Sequence, residues 1–344
     1  MRDADNFGAY LTGIHMIIRS AFIFVCACAA TWAMADTSDL SGDYQGTING
    51  HIRITMNLVH STDGADDGQY RYVRFGQPVF LRDQTKPGGQ IDLAEDGDRG
   101  GDSLEGHFRG TCDDDNNFAG IWTNSDGTKS YPFSLKRVDT IEKYSTSEPK
   151  YRVAASVPHF VADTPFYVAL SAELRRRARE EVRSETAELR TDTSDPDSGP
   201  LPYVSTSSME LLYAADTLVS VLRQGYDYSG GAHGNYGFSA ETFAWRGNKL
   251  IELHPSDLLY DDSAPQLASL IRADLKRQKA SWPEQATLSK LDRMTMNPTA
   301  DGLVFTFDPY EVDCFAAGSY SVMIPYSQIS TCIPPQSPLA HLVR

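Results

Sequence analysis

Long apolar runs are nearly missing from this 344-residue chain. Beyond residue 35, no stretch approaches the roughly 20 consecutive apolar residues that a transmembrane helix requires, so the body of the sequence carries no helical anchor. Cysteine is scarce, with five in all, and their spacing offers neither a dense disulfide scaffold nor a Cys-x-x-Cys motif. His-x-x-x-His, phosphate-loop and dinucleotide patterns are also absent, and the sequence implies no metal and no cofactor. Positive charge is in short supply: 31 Lys and Arg stand against 46 Asp and Glu, a formal net charge of −15. That balance argues against nucleic acid or anionic lipid as partners and favours basic ones through electrostatic steering.

The one apolar run lies near the N-terminus. Arg19 precedes an uncharged stretch, Ser20 to Trp32, too short for a stable anchor, and Ala33-Met34-Ala35 has the small-x-small pattern of a cleavage site. Residues 1–35 read as a signal peptide removed before Asp36, with Met16 as the true start. A retained anchor and a lipoprotein joined through Cys28 are the alternatives. The expected location is periplasmic or secreted. Cleavage leaves the charge unchanged, because Arg2 and Arg19 offset Asp3 and Asp5. It also removes Cys26 and Cys28, which leaves Cys112, Cys314 and Cys332 in an oxidising compartment. Cys314 and Cys332 flank a strand-and-turn segment and are the disulfide candidate; three buried thiols are the alternative.

About 310 residues remain, more than a single core usually serves, so two domains are expected. From Leu40 to Arg137 apolar residues alternate, as in Ile52, Ile54, Met56, Leu58 and again in Tyr131, Phe133, Leu135, with turn clusters between the runs. The pattern predicts an all-β antiparallel meander of about seven short strands over residues 36–137, a small barrel or sandwich. Residues 138–150 are polar and read as a linker. A second domain is expected over 151–335, followed by a tail over 336–344. Within it, Phe166, Leu170, Leu174, Ala178 and Val182 recur every four residues and predict an amphipathic helix to about Leu189. Alternating runs from Tyr203 to Ala214 and Thr217 to Tyr228, a strand through Trp245, helical spacing over Ala264–Trp282 and strands near Leu303–Phe307 and Tyr320–Ile324 complete an α+β domain with helices on an antiparallel sheet.

Two clusters invite a chemical reading. Asp227-Tyr-Ser-Gly-Gly-Ala-His-Gly234 reads either as a nucleophile or metal site with His233 as base, or as a glycine-rich turn in which His233 donates to a backbone carbonyl. The turn is favoured, because Ser229 lacks a Gly-x-Ser-x-Gly elbow and spacing places no orienting acid. Asp308-Pro-Tyr-Glu311 with Asp313 reads as paired carboxylates or as a strand-end loop with an exposed aromatic. On an extended chain Glu311 and Asp313 would share a face, which again favours the loop. Asp113-Asp-Asp-Asn-Asn117 lacks the alternating ligands of a calcium loop and reads as a hairpin tip. Arg175-Arg-Arg177 and Arg179, with glutamates at helical spacing, read as a salt-bridged face.

The stretch from Tyr228 to Gly234, with Phe243, Leu250-Ile-Glu-Leu253, Asp257-Leu-Leu259, Asp301 to Val312, Phe315-Ala-Ala-Gly318 and Val322-Met-Ile-Pro-Tyr326, resembles one family. It is similar to the envelope domain shared by the lysozyme-sensing anti-sigma-V factor and the non-catalytic part of a peptidoglycan deacetylase, over residues 151–330. No membrane helix with a sigma-binding segment precedes this region, and no deacetylase domain follows it. The resemblance implies a non-catalytic binding role, with Pro309, Tyr310, Tyr228 and His233 as contacts, and a partner that is a basic envelope or extracellular protein such as a muramidase, or peptidoglycan itself. The alternative function is an envelope hydrolase that uses His233 with a neighbouring acid.

Overall fold

Alternation of buried and exposed positions drives the first part of the chain into strands. The computed structural model describes residues 40–60, 66–83, 91–96, 104–115, 117–191, 203–286 and 291–343. The signal-peptide reading, with Met16, Cys26 and Cys28, lies outside the described residues. So do the turns read at Lys86–Gly89 and Gly97–Gly101 and the break over Asp192–Pro200.

Eight strands close into an antiparallel barrel: β1 (Gly42–Ile48), β2 (Ile52–His60), β3 (Asp66–Tyr72), β4 (Pro78–Asp83), β5 (Ile91–Asp96), β6 (Leu104–Cys112), β7 (Phe118–Asn124) and β8 (Ser130–Arg137). Closure comes from β1 pairing with β8, where Gly46 faces Leu135 and Ile48 faces Phe133. A barrel therefore replaces the barrel-or-sandwich choice, and it has one strand more than the alternation suggested. Tyr44, Met56, Tyr70, Phe108, Phe118 and Phe133 fill its interior, with edge-to-face ring contacts from Tyr70 to Phe108 and from Phe108 to Phe133.

The segment read as a linker is a strand. β9 (Asp139–Glu148) comes after the barrel with Val138 alone between them, and it pairs along its whole length with β10 (Tyr151–Phe160). Its side chains are too polar to show a buried face in sequence, but its backbone bonds to β10 make it the edge of a six-stranded sheet. The helix α1 (Pro165–Thr191) then crosses over the sheet, burying Phe166, Leu170, Leu174, Ala178 and Val182 as its four-residue spacing requires. After this crossover β11 (Tyr203–Ala215) lies parallel to β10, so the sheet is mixed rather than purely antiparallel. β12 (Leu218–Tyr228), β13 (Asn235–Arg246) and β14 (Lys249–Leu253) continue it as antiparallel hairpins.

The last third of the chain adds the short helix α2 (Pro255–Leu258), then α3 (Ala264–Arg277) and a three-stranded sheet of β15 (Met296–Pro298), β16 (Gly302–Phe307) and β17 (Tyr320–Pro325), with α4 (Tyr326–Ile329) beyond. α3 buries Leu267, Ile271 and Leu275 against this sheet and stops earlier than its apolar spacing suggested, because Lys279 turns left-handed at φ 64°. Leu339 is fully buried in the same core and Ser337 donates to the Leu258 carbonyl at 2.8 Å, so most of the expected tail is packed structure. Asn297, also fully buried, donates to Ser220 Oγ and the Val221 carbonyl, tying β15 to β12.

Two buried polar contacts join the barrel to the six-stranded sheet. Arg71 on β3 donates through Nε and Nη2 to both carboxylate oxygens of Glu210 on β11, at 2.6 and 2.7 Å, and Gln69 adds a third bond to Glu210. At the other contact Asp139 accepts the Asp43 N–H at 2.9 Å, and Asn57 donates to Asp43. Burial raises both carboxyls, Asp43 to about 7 and Asp139 well above its ordinary range, and Asp43 adds its charge to the shift of Asp139. Arg137 directs its guanidinium to the backbone carbonyls of Ser41 and Asp139. Glu210 raises Asp43 further.

Removing one partner of a buried ion pair leaves the other charge uncompensated. Glu210→Gln should therefore lower stability by about 3 kcal/mol in urea denaturation, and the paired Arg71→Met, Glu210→Leu variant should lose less. The buried carboxyls give a second expectation. Their pKa values are raised on folding, so the folded state holds a proton that the unfolded chain releases near pH 4, and stability falls as pH rises from about 4 through 7. Urea midpoints measured from pH 4.5 to 8 should show this fall, and Asp43→Asn should flatten it.

Candidate functional site

The hairpin between β12 and β13 closes at the pair Asp227 and Asn235, and residues 229–234 form its turn. Gly230 and Gly231 have φ of 110° and 94°, a backbone that side-chain-bearing residues rarely adopt, and the Tyr228 hydroxyl donates to the Gly231 carbonyl at 3.1 Å. His233 Nδ1 donates to the Gly234 carbonyl at 2.9 Å. The turn reading of this cluster accounts for each of these contacts. Among the described residues, no carboxylate is hydrogen-bonded to His233.

β14 pairs only with Thr242–Arg246, which leaves the first half of β13 as a free edge. The loop after β16 covers it. Asp308 Oδ1 accepts the Phe238 N–H at 2.7 Å, and Thr295 donates to the Phe238 carbonyl at 3.2 Å. A Cβ on Gly237 would lie 2.8 Å from Asp308 Oδ2, so a side chain at 237 would push the carboxylate from this position. Burial pushes the Asp308 carboxyl above its usual range, against the lowering effect of the Phe238 N–H.

Residues 308–311 form a turn in place of the extended chain considered from the sequence. The Asp308 N–H donates to Glu311 Oε2 at 2.7 Å, the Glu311 N–H donates to the Asp308 carbonyl, and Tyr310 sits at φ 72°. Glu311 and Asp313 therefore part company. Asp313 turns the other way, accepts from the Tyr320 hydroxyl, the Ser281 N–H and the Cys314 N–H, and is held well below the usual carboxylate range by them. Pro309 is buried, so it shapes the turn and is not a surface contact as expected. Tyr310 is 58% exposed.

Phe315 brings the two clusters together. His233 stacks on it with ring centroids 4.1 Å apart and planes at 18°, Tyr310 lies tilted at 5.6 Å and Tyr236 stands edge-on at 5.7 Å. Tyr236 in turn meets Phe238 at 5.9 Å. Beside this aromatic face opens a cavity of about 480 Å³, lined by Ser205, Ser207, Tyr236, Phe238 and the charged groups Glu181, Arg223, Asp227 and Asp308. Arg223 is already paired with Glu181, so Asp227 and Asp308 leave the cavity net acidic. Such a pocket can hold a basic side chain while the adjoining rings take apolar or cationic surface.

Three other readings meet the structure here. Cys314 and Cys332 are not joined: Cys314 is exposed, whereas Cys332 is buried and its thiol donates to Gln266 Oε1 at 3.3 Å. Asp113 folds its carboxylate onto the backbone N–H groups of Asp115 and Asn117, as a hairpin tip does. In the arginine cluster on α1, Arg175 to Arg177 are salt-bridged as expected, Arg176 and Arg177 with Glu173, Arg177 also with Glu241 and Glu252, and Arg175 with Glu142, whereas Arg179 departs from that reading and lies over the Tyr144 ring instead. Phe315, Tyr236 and Phe238 were not singled out as contacts from the sequence. The available signal was the aromatic pair two residues apart on one strand face.

Residues 256–327 match the DUF3298 family, a protein of unknown function. No curated protein matches the chain. Two crystal structures resemble it: a DUF3298 family member from Bacteroides fragilis NCTC 9343, with 13% identity and a TM-score of 0.43 over 60% of this chain and 97% of that one, and a DUF3298 family protein from Pseudomonas aeruginosa PAO1, with 17% identity and a TM-score of 0.42 over 57% and 95%. The family match runs from α2 through β17 and so includes the loop that carries Asp308, Tyr310 and Phe315.

Proposed function

We propose that this is an exported, non-catalytic binding protein of the cell envelope whose partner is a basic protein of the muramidase kind. The observation that carries the reading is the juxtaposition of an aromatic cluster, in which exposed His233 and Tyr310 meet on half-buried Phe315, with a cavity whose unpaired charges are the carboxylates Asp227 and Asp308. A chain of net charge −15 steers a cationic partner toward itself, and a desolvated acid beside stacked rings gives an Arg or Lys side chain a specific seat. Tyr310 adds a rigid amphipathic anchor on a left-handed backbone position that its own turn enforces. The resemblance to the lysozyme-sensing anti-sigma domain supports the same reading.

The hydrolytic alternative draws no support from this geometry. His233 commits Nδ1 to a backbone carbonyl and its ring to Phe315, and Asp308 commits an oxygen to the Phe238 N–H. Among the described residues, no hydrogen bond joins His233 to a carboxylate that could orient it as a base.

Binding to purified muramidase, followed by calorimetry, should weaken steeply as salt rises, and Tyr310→Ala should weaken it by about tenfold or more. Salt-independent binding to purified sacculi, with no muramidase retained, would assign the site to peptidoglycan instead.

A further inference from the structure

Along the outer edge of the six-stranded sheet, α1 lies over β9. Thr146, Tyr144 and Glu142 pair with Val153, Ala155 and Val157, which are buried beneath the helix, so those β9 residues face α1 as well. The seam is a ladder of contacts between arginines of the helix and side chains of the strand. Arg175 meets Glu142 at 2.6 Å, the Arg179 guanidinium sits 5.2 Å from the centre of the Tyr144 ring, and Arg190 stands 3.8 Å from Glu148. Between the second and third of these the ladder is interrupted. At Thr146, where a further acid would complete the series, there is a cavity of about 620 Å³ lined by Tyr144, Thr146, Arg179, Arg183, Thr186 and Arg190.

The chemistry of this gap is opposite to that of the rest of the molecule. Arg179, Arg183, Thr186 and Arg190 fall within about 60° of the helix circumference at ~100° per residue, and they run ~16 Å along its axis. Among the described residues, no carboxylate lies within ion-pair distance of Arg179, and Arg183 meets only Glu180 on the exposed side. Thr186 is 6% exposed, and its hydroxyl has no hydrogen-bond partner. Arg183 and Arg190 have acids at the outer ends of the gap and Arg179 has none, so a buried, unsatisfied hydroxyl faces a surplus of positive charge, which is costly unless something fills the gap.

We infer that the α1–β9 gap is a binding site for a ligand bearing two or more oxyanion groups, phosphate or carboxylate, spaced along the arginine stripe. Guanidinium groups match both kinds of oxyanion through paired N–H donors, and Thr186 completes the coordination of whichever group lies deepest. The site is independent of the acidic aromatic face and takes ligands of the opposite charge.

Calorimetric titration of the full chain with pyrophosphate and, separately, citrate, at ionic strength held constant with sodium chloride, tests this. At least one probe should bind saturably, with affinity about tenfold weaker in Arg183→Gln and in Thr186→Val. Arg183 is 74% exposed, so its replacement leaves the fold intact. Preference for pyrophosphate would assign a phosphate ligand, and preference for citrate a polycarboxylate. Absence of saturable binding by both probes, or wild-type affinity in both variants, would overturn the inference.

Discussion

The bond from the Phe238 N–H to Asp308 holds the candidate site together. β14 is too short to cover the first half of β13, and an exposed strand edge is an invitation to unwanted pairing. The loop after β16 caps that edge through the Asp308 carboxylate, with Thr295 taking the Phe238 carbonyl, and the same loop brings Phe315 against both His233 and Tyr310. One constraint on the backbone therefore determines which side chains share a surface. It also explains why Asp308 is partly buried and its carboxyl raised, while Asp313, five residues on, is stabilised as a carboxylate by three donors on the far side of the same loop.

The barrel is held to this assembly by strand continuity and by buried polar contacts. With Val138 alone between β8 and β9, the last barrel strand leads directly into the six-stranded sheet, and the Arg71–Glu210 pair and the Asp43–Asp139 contact fasten the seam. In the Arg71–Glu210 pair each partner compensates the other's buried charge, so losing one costs more than replacing both by apolar groups.

Much of this was legible in the amino-acid sequence where a period was strong. The stripe from Phe166 to Val182 announced α1, and alternation from Ile52 to Leu58 and from Tyr131 to Leu135 announced barrel strands. β9 was hidden because its partner-bonded backbone carries polar side chains, and polar composition reads as a linker. The parallel pairing of β10 with β11 was hidden because it depends on where α1 returns the chain. At the site, both the His233 turn and the Asp308 loop were visible as separate clusters, and the turn reading of the first agrees with the hydrogen bond to Gly234. Their meeting on Phe315 is a tertiary event between segments about 75 residues apart that spacing cannot encode. Pro309 shows the complementary failure, since a proline beside an exposed tyrosine gives no sign of which of the two the fold will bury.

If the acidic aromatic face is the surface on which a basic partner sits, hydrogen exchange with and without purified muramidase will show it directly. New protection should then be confined to the β12–β13 turn and to residues 308–318, with the barrel unchanged. Protection confined to the barrel strands, or no change anywhere under conditions where the two proteins bind, would contradict a partner seated on this face.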